Sequence, residues 1–282
     1  MADSAGPVSV APPTKTKSEM LFEGYLRAHG YTNFEFEPEM PGTTKRPDYR
    51  LAACGQDILL EVKEFRATPD DFNSRGGYFD PYPPLREKIE AGRKKFKDLD
   101  QHCCCLVLHN VDKPLVLLDW AHVYGAMLGN LGFSVPIHLP GGPAPVDGAI
   151  RHVFTSGGKM IRESKGVPVE PQNTTISAIL VLGRVPVVER LFWADLRRRE
   201  AGRGGAFDIE EIFAELELAA GTEHDLRRKH LRVVVHENPY ARIPLHRDLF
   251  RGPYDERYGG LDGRIQRLFL GDAVAALPEA RG

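Results

Sequence analysis

Hydrophobic positions along the chain recur with two periods, and the switches between them divide it into elements. Met20, Leu21, Phe22, Tyr25, Leu26 and Ala28 form a broad stripe at helical spacing. The spacing predicts a helix over Glu19–Ala28, with Ser18 as its N-cap and Gly30 as its stop. Alternating runs follow at Tyr31–Glu37, Pro47–Ala53 and Gln56–Phe65, which read as three strands. Helical spacing returns from about Pro84 to Leu99, with Leu85, Ile89 and Phe96 inward. Strands are predicted at Cys103–His109 and Leu115–Asp119, then a helix opened by Asp119 or Trp120 and ending near Gly129. From Gly132 to Pro171 glycine and proline allow only short strands. Ile176–Gly183 reads as a buried strand, Val187–Ala201 and Asp208–Ala220 as helices, and Arg232–His236 as one more strand. The tail from Glu237 reads as irregular, and residues 1–17, rich in Pro, Ala, Ser and Thr, as a disordered segment.

Helix, three strands, helix, strand is an α/β order that opens on an antiparallel hairpin and leads to a mixed central sheet. The expected organisation is a core over 18–185 and a helical and irregular extension over 186–282 that can belong to the same domain. At 282 residues, 42% apolar and 27% charged, the chain can bury a substantial core. No apolar run is long enough to span a bilayer and no secretory signal is visible, so a cytoplasmic protein is expected. The four cysteines agree: Cys103, Cys104 and Cys105 are consecutive within a strand and Cys54 stands in a turn, a poor pattern for disulfides or zinc. A net charge of −2 gives no global sign of nucleic-acid binding. Such binding has to come from local patches: Arg86 to Lys97, Arg197–Arg199 and Arg227–Lys229.

Chemistry concentrates in the first hairpin. If Cys54-Gly55 is a two-residue loop, pairing runs 53 with 56, 51 with 58 and 48 with 61. Tyr49, Leu51, Ile58, Leu60 and Val62 then make one apolar face. Asp48, Glu61 and Lys63 share the other. Two carboxylates that close repel, which raises a pKa or calls for a cation, and a hard divalent ion such as Mg²⁺ or Mn²⁺ suits them. Lys63 reaches the same place, where it can orient a water or stabilise charge on a phosphate. The plainer alternative is a surface hairpin whose Asp48 and Glu61 only pair with Lys63 and Arg50.

Pro47-Asp48 followed by Glu61-Val62-Lys63, with Glu61 thirteen positions after Asp48, resembles the signature of the PD-(D/E)XK, or restriction-endonuclease-like, nuclease superfamily. The resemblance covers about Ser18 to Leu108 and extends to Ile176–Gly183. It implies a core of helix, three-stranded meander, helix and strand, and a metal-dependent nuclease favouring DNA. It implies Asp48 and Glu61 as metal ligands, completed by the Val62 backbone carbonyl, with Lys63 as the catalytic lysine. A helix glutamate joins the site in many members. In the Holliday-junction-resolvase branch it lies eleven residues before the helix-ending glycine, the spacing of Glu19 from Gly30; Glu23 competes. On the following helix Lys88 and Lys95 share a face, with Arg86 and Lys94 nearby, and are expected to contact phosphates. Arg75, in the loop Asp70–Pro84, is a further phosphate candidate. The segments 237–242 and 250–255 can wrap the domain, bind a partner or form a homodimer. Two rival functions stay open: a catalytically silent nuclease-like binding or assembly module, and an RNA-directed nuclease of the same fold.

Overall fold

An eight-stranded mixed sheet runs through the molecule with helices on both faces. A computed structural model describes residues 14–72, 80–129, 131–134, 151–154, 157–164, 167–186, 189, 229–261 and 264–271. The expected helices Val187–Ala201 (Glu189 apart) and Asp208–Ala220 and most of residues 1–17 lie outside the described residues, as do Arg75 and Arg197–Arg199. Helix α1 spans Lys17–Ala28, α2 Tyr82–Phe96 and α3 Trp120–Leu128. The strands of the large sheet are β1 (Phe34–Phe36), β2 (Tyr49–Ala53), β3 (Gln56–Phe65), β4 (Cys103–Asn110), β9 (Ile176–Pro186), β10 (Lys229–Glu237), β11 (Glu256–Leu261) and β12 (Arg264–Leu270). They lie in the order β1-β2-β3-β4-β9-β10-β11-β12. Between β4 and β9 stand two small hairpins, β5 (Leu131–Ser134) with β6 (Arg151–Phe154), and β7 (Ile161–Ser164) with β8 (Val167–Pro171).

The hairpin register is the expected one, with Ala53 opposite Gln56, Leu51 opposite Ile58 and Tyr49 opposite Leu60. Cys54 and Gly55 both have positive φ, 49° and 72°, as a two-residue turn matching strand twist requires. β3, β4 and β9 are mutually parallel. They are covered on both faces, which is why Cys103–Leu108 and Ile176–Leu182 are nearly continuous apolar runs. On one face Phe22, Tyr25 and Leu26 of α1 pack on Tyr49, Leu51, Ile58, Leu60 and Val62. On the other, Leu85, Ile89 and Phe96 of α2 and Val123, Tyr124 and Met127 of α3 pack on Leu59, Leu106, Leu108 and Ile179. The two helices approach closely at Gly125, where a Cβ would lie 2.2 Å from the Tyr82 ring.

Three expectations are corrected. The N-cap of α1 is Thr16, whose hydroxyl accepts from the Glu19 N–H while the Glu19 carboxylate accepts from the Thr16 N–H at 2.5 Å, a capping box. Leu115–Asp119 forms no strand. The Asn110 side chain folds this stretch into a turn by bonding Lys113 N, Lys113 O and Val116 O, and Asp119 caps α3. The region after Glu237 is not wholly irregular, because β11 pairs parallel with β10 and β12 closes the sheet. The chain between β10 and β11 wraps the α1 face: Phe250 N donates to Tyr31 Oη, and the Tyr25 hydroxyl donates to Asp255 at 2.5 Å. Asp255 also accepts from Val233 N and Gly252 N. The cysteines are all free thiols, Cys54 exposed and Cys103–Cys105 buried in β4. Among the described residues no helix is long and apolar enough to cross a membrane.

Candidate active site

The ladder between β2 and β3 stops at Tyr49 and Leu60 because the next facing position to Val62 is Pro47, which has no N–H to give. Asp48 takes over: its Oδ2 accepts the Val62 N–H at 2.7 Å, while its backbone carbonyl accepts from Glu37 N. This holds the Asp48 carboxylate over the strand that carries Glu61. Burial, the most important cause, and the Glu61 charge beside it push the Asp48 pKa up to about 7. The Val62 N–H and Lys63 oppose that shift, and Glu19 adds to it.

Glu61 points to the α2 face and is 1% exposed. The Lys63 ammonium donates to Glu61 Oε1 at 2.6 Å, and Lys95 of α2 stands 3.5 Å from Oε2. Oε2 is buried without a hydrogen bond, so Lys95 offsets its charge without satisfying its lone pairs. Lys88, two turns before Lys95, lies over the Phe65 ring at 5.6 Å. Thus Glu61, Lys63 and Phe65 of β3 face Lys95 and Lys88 of α2, the shared face read from the spacing. Beyond Lys88 is a cavity of about 220 Å³ lined also by Glu64, Arg66 and Lys113. Sequence reasoning passed over Arg66, three residues beyond Lys63, and Lys113, which is distant from the motif and brought near only by the fold.

The helix glutamates separate clearly. Glu23 is buried, paired with Lys15 and, at 2.8 Å, with Arg27, and it accepts from the Tyr49 hydroxyl at 3.4 Å. Burial would raise its pKa, but the two cations hold it below the ordinary carboxylate value. Glu19 is close enough to Asp48 to act on its titration, yet its carboxylate caps α1. Arg86 is not at the site: its guanidinium faces the Tyr82 ring at 5.0 Å and the Gly125 carbonyl at 3.5 Å. Arg50 pairs with Asp57.

Among the described residues no three His, Cys, Asp or Glu side chains are grouped as a metal cage. Two carboxylates, the Val62 carbonyl and solvent are nevertheless a donor set that suits Mg²⁺, which commonly keeps several waters and takes one or two carboxylates. Burial and the neighbouring Glu61 charge raise the Asp48 pKa, and Glu61 Oε2 keeps lone pairs that no hydrogen bond uses, although Lys63 and Lys95 flank that carboxylate. Comparison of the chain with protein-family models, curated proteins and solved structures gave no match.

Proposed function

We propose that the chain is a Mg²⁺- or Mn²⁺-dependent nuclease of the PD-(D/E)XK type, hydrolysing phosphodiester bonds with DNA favoured as substrate. The observation that carries the reading is the Asp48–Glu61 carboxylate pair, buried beside Lys63 and faced by Lys95. Asp48, Glu61 and the Val62 carbonyl would hold a divalent ion, which would supply Lewis acidity at the scissile phosphate. Lys63 donates toward the attacking water and stabilises negative charge that develops on the phosphoryl oxygens. Water adds to phosphorus and gives up a proton to solvent as the bond to the leaving oxygen breaks, and that oxygen takes up a proton from solvent. Lys95 and Lys88 hold neighbouring phosphates without reading bases. Four free thiols accord with a reducing compartment, the cytoplasm.

One observation favours the second reading, a silent nuclease-like binding module: Lys63 and Lys95 already neutralise Glu61, where an ion would otherwise be needed. The test offers supercoiled, linear and single-stranded DNA and RNA to the purified chain, with and without Mg²⁺ or Mn²⁺. Cleavage that needs the ion and vanishes in Asp48→Ala/Glu61→Ala is the expected result. Lys63→Met keeps the apolar stem, so it should fold, bind nucleic acid nearly as before and cut at least about a hundredfold more slowly. Wild-type cutting by Lys63→Met, with ion and nucleic acid saturating, would sink the catalytic reading. Binding without cleavage of any substrate would establish the silent module instead.

A further inference from the structure

On the α2–α3 face, but three strands across the sheet from β3 (about 14 Å at the usual strand spacing), lies a second cavity of about 320 Å³. Val181 and Val234 make its apolar floor, Trp120 one wall, Tyr258 another, and Arg232 and Arg267 reach in from β10 and β12. Trp120 and Tyr258 are nearly parallel, 16° apart with centroids at 6.3 Å, and Tyr258 stacks in turn on buried His236 at 5.7 Å and 9°. Trp120 and Tyr258 thus face the cavity as two nearly parallel rings, with His236 packed beneath Tyr258 and outside the lining.

Its charges are unevenly committed. Glu256 is tied to Arg232 at 3.0 Å and to the Tyr258 hydroxyl at 2.8 Å. Burial and that carboxylate push the Tyr258 pKa up to about 12, so the phenol stays a neutral donor. Asp119 is engaged by the first N–H groups of α3 and by His122. Asp119 and Glu189 are the exposed acids of the lining. Arg267 stands off, 3.9 Å from Glu256 and beyond hydrogen-bond reach, with its guanidinium over the Tyr258 ring at 5.8 Å. A guanidinium carries five donors in a planar fork that matches phosphate oxygens. An aromatic wall with a loosely held arginine beside it fits a planar ring carrying an anion. The volume lies at the low end of small-molecule sites, enough for one nucleotide.

We propose that this cavity is a binding site for a nucleoside monophosphate, the base lying against Trp120 and Tyr258 and the phosphate on Arg267. The site is separate from Asp48 and Glu61 and does not rest on the nuclease reading. Isothermal titration of the full chain with AMP, GMP and UMP, each compared with adenosine and with inorganic phosphate, tests it. A monophosphate should bind saturably, and the nucleoside and phosphate alone should each bind at least tenfold more weakly. Arg267→Gln, at an exposed position, should weaken binding at least tenfold, and Trp120→Phe should weaken it less than Trp120→Leu. Lys63→Met should bind as the wild type does. The proposal fails if no monophosphate binds saturably up to millimolar concentration, or if inorganic phosphate binds as well as AMP. It also fails if Lys63→Met abolishes binding while a folded Arg267→Gln retains it.

Discussion

Asp48 carries the clearest signature of unbalanced charge in the molecule. Its folded-state pKa is raised to about 7 from an ordinary 3.8, so folding favours the neutral acid. A group shifted upward lends its full stability below the unfolded pKa and loses it as pH climbs through the folded one. Stability in the presence of a chelator should therefore decline between about pH 4 and pH 7, and Asp48→Asn should flatten that decline. Urea unfolding of both proteins across this range measures it; equal slopes would show that Asp48 is not strained. Adding Mn²⁺ at pH 7 should raise the wild-type midpoint and leave Asp48→Asn/Glu61→Gln unmoved. Asp48, Glu61 and Lys63 were legible as a group because the two-residue turn at Cys54-Gly55 fixes the register and strand alternation does the rest. Lys88 and Lys95 were legible from their helical spacing. Arg86 packs on Tyr82, one turn back on α2, and on the Gly125 carbonyl of α3, a contact far along the chain that no local pattern announces.

At the scale of elements, the first turn of α1 serves two purposes. Glu19 acts on the charge of Asp48 and is also the acid of the capping box of α1. Thr16→Ala removes one half of the box and should cost about 1 kcal/mol. Differential scanning calorimetry should show a midpoint lower by a few degrees, on the order of 2–4 °C for a chain of this size. The Glu19 carboxylate keeps its bond from the residue-16 backbone N–H, so any ion affinity at Asp48 should hold. A fall in that affinity would mean that the cap, as it stands, positions the ligand. Thr16 and Glu19 are spaced as a capping box in the sequence, yet the neighbouring serine drew the boundary two residues late. The turn at Asn110 and the strands β11 and β12 were harder to see. Leu115–Leu118 is a continuous apolar run of the kind a buried strand shows, and only the Asn110 amide, with its three backbone bonds, folds it otherwise. β11 and β12 carry Gly259, Gly260 and several charges, and they exist because β10 offers β11 an edge.

For the whole molecule, the last strands belong to the same sheet as the site. β10 runs antiparallel along nine residues of β9, and Asp255 joins Tyr25 of α1 to Val233 of β10. Arg257, 2% exposed, binds Glu237 at 2.7 Å and the carbonyls of His246 and Leu249. Removal of everything after residue 186 would strip the edge of β9 and leave Tyr25 and Leu180 uncovered. The fragment 1–186 should be insoluble or lack cooperative unfolding, as read by near-ultraviolet circular dichroism and urea titration. A fragment that unfolds cooperatively would show that the core stands alone. Sequence patterns do not reveal this dependence, because parallel pairing between β10 and β11 is a contact of long sequence separation.

The three adjacent thiols of β4 give the chain a built-in clock for its own opening. Cys103, Cys104 and Cys105 lie in a strand flanked on both sides by other strands and covered on both faces, whereas Cys54 projects from a turn. A thiol reagent added to the native protein should modify one cysteine per chain at once. The remaining three should react together and slowly, at a rate set by how often β4 parts from its neighbours. That rate, followed against urea, yields the free energy of opening with no engineered probe. Prompt reaction of all four would mean that the centre of the sheet opens far more readily than its burial implies.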